Sequence, residues 1–156
     1  MTRKRLPTIP DPSSPALPAA VTSTVGFLMR EAASRFRVRV ERMLFEFHLR
    51  PQQLLMLITL RDEGPMSQLA LGQRLGMDRT TTMQSAQALA DAGYIDRQDD
   101  PDDRRVYRLT LTSQGRRLAA TLEGRLKKID QELLAPLSVE DRARFLAQLN
   151  AIVDCH

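Results

Sequence analysis

Met77–Gly93 reads M-D-R-T-T-T-M-Q-S-A-Q-A-L-A-D-A-G. Asp78 stands where a helix N-cap belongs, offering a carboxylate to the orphan N–H groups of the first turn. Gly93 stands where the chain must leave the helix left-handed. At about 100° per residue, Thr82, Ala86, Leu89 and Ala90 share one face. Thr80, Thr81, Gln84, Gln87 and Ala88 share the other, with Arg79 and Met83 at its edges and Asp91 at its far end. A solvated helix face ordinarily carries Lys and Glu. Short hydroxyls, planar amides and methyls are instead the groups that base edges in a DNA major groove can use. The stretch reads as a recognition helix; a small-residue helix packed on both sides is the bland alternative.

Composition limits what surrounds it. A chain of 156 residues suits one domain, or one domain with an arm. Hydrophobic content of 42% without tryptophan implies an aliphatic, Leu-rich core. The longest apolar run, Leu54–Ile58, is far short of the roughly 18 residues of a membrane span. The basic tip Arg3-Lys4-Arg5 runs into proline and not into a signal-peptide apolar segment. A single cysteine, Cys155, leaves no intramolecular disulfide and no cysteine cluster, and the default location is cytoplasmic. The net charge of +4 invites nucleic acid, but it is unevenly placed. Residues 1–50 hold nine Lys and Arg against four acids, whereas residues 51–111 hold seven against nine. Bulk charge therefore gives the central region no help with DNA; particular arginines must supply it.

Residues 1–20 contain Pro7, Pro10, Pro12, Pro15 and Pro18 and read as a disordered or polyproline arm. From about Thr22 to Phe47, apolar residues recur at three- and four-residue steps from Val25 to Phe47, so a long helix is expected. Its stripe is wider than a small domain can cover, and a second subunit is the simplest partner. Pro51 opens the next helix, to Asp62, which is expected to bury Leu54, Leu55, Leu57 and Ile58. Ser67 caps a short helix through Leu75, and Gly72 in its middle marks close helix–helix approach. Two short helices joined by a glycine turn, the second polar-faced, form a helix-turn-helix. Tyr94–Arg97 and Arg105–Leu111 read as strands flanking the polar loop Gln98–Arg104, a wing hairpin. Thr112 or Ser113 caps a second long helix with a Leu118, Leu122, Leu126, Ile129, Leu133 seam. Pro136 ends it, and Ser138 with Asp141 opens a last one.

The order of these elements resembles the MarR family of winged-helix repressors. The strings that carry the resemblance are Gly64-Pro65-Met66-Ser67-Gln68, Leu75 to Thr80, Leu89 to Gly93, and the wing Asp100-Pro101-Asp102-Asp103-Arg104-Arg105 followed by Leu109 to Thr112 and Gly115. The resemblance implies a mainly α fold with a small β-hairpin wing. It divides residues 21–156 into a winged helix-turn-helix at 51–111 and dimerisation helices at 21–50 and 112–156. It also implies a homodimer on a near-palindromic operator in double-stranded DNA, with the wing arginines, Arg105 foremost in the Asp103-x-Arg105 pattern, in a minor groove. The DNA-contact set expected on both grounds is Ser67, Gln68, Arg79, Thr80, Thr81, Met83, Gln84, Gln87, Arg104 and Arg105. Gln84 and Ala88 depart from the basic residues common in that family, so amide and methyl contacts should outweigh phosphate clamping. Family members often hold small phenolic ligands between the dimer helices and the winged helix, for which Met29, Phe36, His48 and Met56 are candidates.

The expected function is transcriptional regulation, as a repressor released by a small effector. The competing class is a winged-helix protein-interaction module, favoured by the acidic balance of 51–111. Two histidines and one cysteine make no metal-ligand cluster. No phosphate loop, nucleophile–base pair or cofactor signature is present, so neither catalysis nor a cofactor is expected.

Overall fold

A computed structural model describes residues 17–99 and 107–154. Most of the Pro-rich arm, the wing tip with Arg104 and Arg105, and Cys155 lie outside the described residues. The order is α1 (Ala19–Thr22), α2 (Val25–Glu46), α3 (Pro51–Asp62), β1 (Met66–Ser67), α4 (Gln68–Arg74), α5 (Arg79–Asp91), β2 (Ile95–Asp99), β3 (Tyr107–Leu111), α6 (Ser113–Leu133) and α7 (Val139–Val153). The molecule is thus mainly helical with one small antiparallel sheet, in the order β1-β3-β2. The short α1 begins inside the stretch expected to be arm, with the Pro18 carbonyl accepting from the Val21 N–H at 2.9 Å.

Short hydroxyl side chains start four of the helices. The Ser67, Thr112 and Ser138 hydroxyls cap α4, α6 and α7 where the sequence places those starts, and the Thr24 hydroxyl caps α2, two residues beyond the expected Thr22. At α3 the N-cap residue is Arg50, which has no acceptor to offer. The return half of a capping box is present instead, because the Arg50 N–H donates to Gln53 Oε1 at 2.7 Å. Asp78 starts α5: its carboxylate accepts from the Thr81 N–H at 2.8 Å and from the Thr81 hydroxyl at 2.6 Å. That hydroxyl, then the backbone N–H groups, hold the Asp78 carboxyl below the usual carboxylate range.

The core is Leu-rich. Leu44, Met56, Leu57, Leu71, Leu89, Leu109 and Leu122 are fully buried, drawn from α2, α3, α4, α5, β3 and α6. Each such side chain contributes about 1.5–3 kcal/mol on removal from water. The stripe on α3 differs from expectation. Leu54, Met56, Leu57 and Leu60 are buried, whereas Leu55 is 48% exposed and Ile58 only half-buried. Five consecutive apolar residues, Leu54–Ile58, cover the whole circumference of a helix, so periodicity cannot choose the inner face there.

The third strand was not expected. Met66 pairs with Leu109 and Ser67 with Arg108. In the hairpin proper, Ile95 pairs with Leu111 and Asp99 with Tyr107. Gly115 locks this sheet to α6. A Cβ there would meet the Tyr94 carbonyl oxygen at 1.9 Å. That same oxygen accepts from the Thr112 N–H at 3.1 Å, so it is not free to retreat.

The helices at the two ends of the chain are left open. α7 buries no residue, and α2 buries only Val40, Met43 and Leu44, all in its second half.

Two outcomes follow for stability. Gly115→Ala forces a backbone clash and is expected to cost about 3 kcal/mol, the upper end of overpacking, seen as a thermal midpoint lower by about 10 °C. Gly124→Ala, in the same helix with nothing within 4 Å of its added methyl, is the control and should instead gain about 0.5–1 kcal/mol of helix propensity. For Asp78 the folded carboxyl binds its proton less readily than the unfolded one. Its stabilisation is therefore complete above the ordinary carboxylate range and fades as pH falls through and below it. Asp78→Asn keeps a capping oxygen without the titration, so acid denaturation followed by circular dichroism should lose the component that Asp78 contributes in the wild type.

Candidate nucleic-acid interface

The interface is built on the angle between α4 and α5. Gly76, at φ +61°, turns the chain between them. A Cβ on Gly72 would stand 2.7 Å from Thr82 Oγ1 and 3.5 Å from the Met77 carbonyl oxygen. The glycine therefore lets α5 seat directly on α4. Thr82 satisfies its own hydroxyl by donating to the Asp78 carbonyl at 2.8 Å. Thr82, Ser85, Ala86 and Leu89 are buried and fix the roll of α5 about its axis.

That roll leaves the opposite face outward. Arg79, Thr80, Met83, Gln84, Gln87 and Ala88 are all exposed, with Met83 at 47%. Thr81 is half-buried, and its hydroxyl is committed to Asp78. Ser67 is half-buried, and its hydroxyl accepts from the Ala70 N–H at 3.1 Å as the cap of α4. Between α4, α5 and the sheet lies a groove of about 450 Å³ whose walls include Gln68, Leu69, Met83, Arg97 and Tyr107.

Arg97, on β2, is the residue of this region that the sequence reading passed over. Its guanidinium donates to Gln87 Oε1 on α5 and, at 3.5 Å, to Gln68 Oε1 on α4. The same group lies over the Tyr107 ring of β3, 4.4 Å from its centroid. One side chain thus ties together four elements. Its Nε is buried and, among the described residues, without a hydrogen-bond partner. Gln87 is held from its other end too, its Nε2 donating to Asp91 Oδ1 at 2.7 Å. The sequence carried a signal only in retrospect. Arg97 pairs with Leu109, so Tyr107 is its diagonal neighbour, but register across a hairpin with so long a tip is not fixed by strand pattern.

The four candidate ligand residues differ in burial. Met56 is 0% exposed, in the centre of the core. Phe36 is half-buried against that core. Met29 is exposed on the first half of α2. His48 is exposed after the end of α2, in the left-handed region at φ +54°, beside the Phe45 ring. A separate cleft of about 610 Å³ opens between α2 and α6, lined by Arg39, Arg42, Met43, Glu46, Arg125, Lys128, Ile129 and Glu132. Arg125 and Glu46 pair there at 2.7 Å. Among the described residues no group of His, Cys, Asp and Glu is arranged to hold a metal ion, and no helix is long and apolar enough to cross a membrane.

Comparison with known proteins agrees with this geometry. The MarR family model matches residues 49–107, which run from the link before α3 into β3. The chain is 29% identical over 146 residues to the HTH-type transcriptional repressor NicR of Pseudomonas putida, with 92% of each chain covered. BpsR of Bordetella bronchiseptica, whose DNA binding is regulated by 6-hydroxynicotinic acid, is 26% identical with a TM-score of 0.73, over 88% of this chain and 98% of that one. PcaV of Streptomyces coelicolor, solved in complex with its natural ligand, is 27% identical with a TM-score of 0.65, over 89% of this chain and 96% of that one. NicR is a transcriptional repressor and PcaV a transcriptional regulator. With its capped α5, its three-stranded wing sheet and its long flanking helices, the chain is similar over most of its length to winged helix-turn-helix transcriptional regulators, and residues 49–107 match the MarR family among them.

Proposed function

We propose that the chain acts as a homodimer that represses transcription from a near-palindromic operator and is released by a small aromatic acid. The observation that carries this reading is the division of α5. Its inner face is buried against α4, while Thr80, Gln84, Gln87 and Ala88 stand outward without a lysine or glutamate among them. Gln84 offers its amide to a base edge, and Met83 and the threonine methyls can meet thymine methyls. Ser67 and Gln68 lie at the start of α4, where N–H groups suit a phosphate. Arg79 opens α5, and Arg104 with Arg105 extends the contact to the minor groove beside it.

The second copy is argued from the open helices. Val25 and Leu28 on α2, and Val139, Phe145, Leu146, Ile152 and Val153 on α7, are exposed apolar side chains on both ends of the chain. Exposed apolar side chains in such numbers on two helices suit a partner, and a twofold copy covers them with the same surface of its own. The twofold axis then sets two recognition helices about 34–36 Å apart, one turn of duplex. Selection of bound sequences from random duplex DNA tests the whole reading: inverted half-sites with that spacing are expected, and no enriched sequence overturns it.

Release follows from population shift, since a ligand that favours another spacing of the two helices disfavours the operator. NicR is a repressor, and BpsR responds to an aromatic acid. In this chain Arg39, Arg42 and Lys128 in the cleft between α2 and α6 outnumber Glu132 once Arg125 is paired with Glu46, so a carboxylate ligand suits it.

Arg105→Ala is expected to weaken operator binding at least about tenfold in an anisotropy titration while the dimer stays folded, the loss of one good contact. Affinity should fall steeply with salt, as phosphate contacts release counterions; a flat dependence favours a protein partner instead. 6-Hydroxynicotinic acid, or a hydroxybenzoate, should lower operator affinity, and Arg42→Ala should abolish that response without altering affinity in its absence.

A further inference from the structure

The Gln87 amide is gripped at both ends by groups that can grip it in only one sense. Arg97 has hydrogen-bond donors and no acceptor, so it can meet only Oε1. The Asp91 carboxylate is an acceptor only, so it can meet only Nε2. The orientation of this amide is therefore dictated by its neighbours' chemistry, unlike an ordinary glutamine, whose two ends can exchange. An amide oxygen has two lone pairs and an amide nitrogen two hydrogens. With one of each taken, one acceptor position and one N–H remain on an exposed side chain of α5. Adenine presents the complement in the major groove, an N6 donor beside an N7 acceptor.

We propose that Arg97 and Asp91 are positioning residues that preset Gln87 to read one adenine in each half-site. The inference rests on the DNA-binding reading above and deepens it. Arg97 is suited to the role because Gln68 and the Tyr107 ring hold the guanidinium from two further sides, so its plane cannot swing away. A lysine carries the same charge but cannot bond two amides in one plane while stacking on a ring. The partnerless buried Nε is consistent with a group held for where its other nitrogens point.

The test is a base-by-base affinity profile of the full-length dimer on its selected operator, with every half-site position replaced in turn. The wild type should discriminate about tenfold for adenine at one position, and Gln87→Ala should lose that preference there and nowhere else. Arg97→Lys and Asp91→Ala should each lose the same preference, and combining either with Gln87→Ala should add nothing further. Asp91→Ala acts from the exposed end of α5, so it keeps the test decisive even if Arg97→Lys disturbs the fold. The slope of affinity against salt should be unchanged in Gln87→Ala and Arg97→Lys, which alter no charge. If Arg97→Lys weakens every sequence equally, Arg97 is a backbone contact and the proposal is wrong. Unaltered discrimination in Asp91→Ala overturns it as well. Failure of the wild type to select any sequence would instead remove the DNA-binding reading on which it stands.

Discussion

Everything on the outer surface of α5 depends on how closely α5 can approach α4. That approach is decided at Gly72, where a single methyl would meet the Thr82 side chain at 2.7 Å. A helix presents a readable face only if its roll is fixed to within a fraction of the 100° between neighbours. The Gly72–Thr82 contact, the Asp78 cap and the buried Ala86 and Leu89 fix it jointly. The cost of a glycine inside α4, about 1 kcal/mol of helix propensity, is accepted for a contact that no larger residue permits.

A second tight contact carries the same rigidity outward. Gly115 sits against the Tyr94 carbonyl, so the first turn of α6 and the start of the wing move as one piece. On the next turns of α6, Arg61 of α3 donates to the Ala119 carbonyl at 3.4 Å and pairs with Glu123 at 2.9 Å. Farther along, Arg125 reaches Glu46 of α2. The long helix is therefore tied in turn to the wing, to the helix beneath the reading head, and to α2. Exposed ion pairs contribute little stability each, about 0–1 kcal/mol. Their use here lies in geometry, because they fix α6 in register against α3 and α2.

Much of this was legible in the residues. Helix starts were readable because Ser67, Asp78, Thr112 and Ser138 cap by a local mechanism that needs no tertiary context. Gly72 and Gly93 were readable for the same reason: a glycine where propensity disfavours it marks a close approach or a left-handed turn. What could not be read depended on partners distant in sequence. The inner face of α3 was misplaced because an unbroken apolar run has no period, and Met56, offered as a ligand residue, proved to be core. β1 is two residues long, and only its pairing with β3 makes it a strand. Arg97 was passed over because its role exists only once α4, α5, β2 and β3 have met.

The acidic balance of residues 51–111 spoke against DNA when charge was counted by segment. Placement changes its meaning. Asp78 is occupied with the first turn of α5, Asp91 with Gln87, Glu63 with Arg74 at 2.9 Å, and Asp62 with Arg61 at 2.7 Å. Those carboxylates still repel phosphate over a Debye length of about 8 Å, and that repulsion falls equally on every sequence. Carboxylates that offset part of the phosphate attraction loosen non-specific DNA first, so discrimination between sequences must come from base edges. Gln84, Gln87, Met83 and the threonines are what α5 offers to those edges. In such a protein the orientation of one amide matters more than the sum of the charges around it, and that is the quantity Arg97 and Asp91 control.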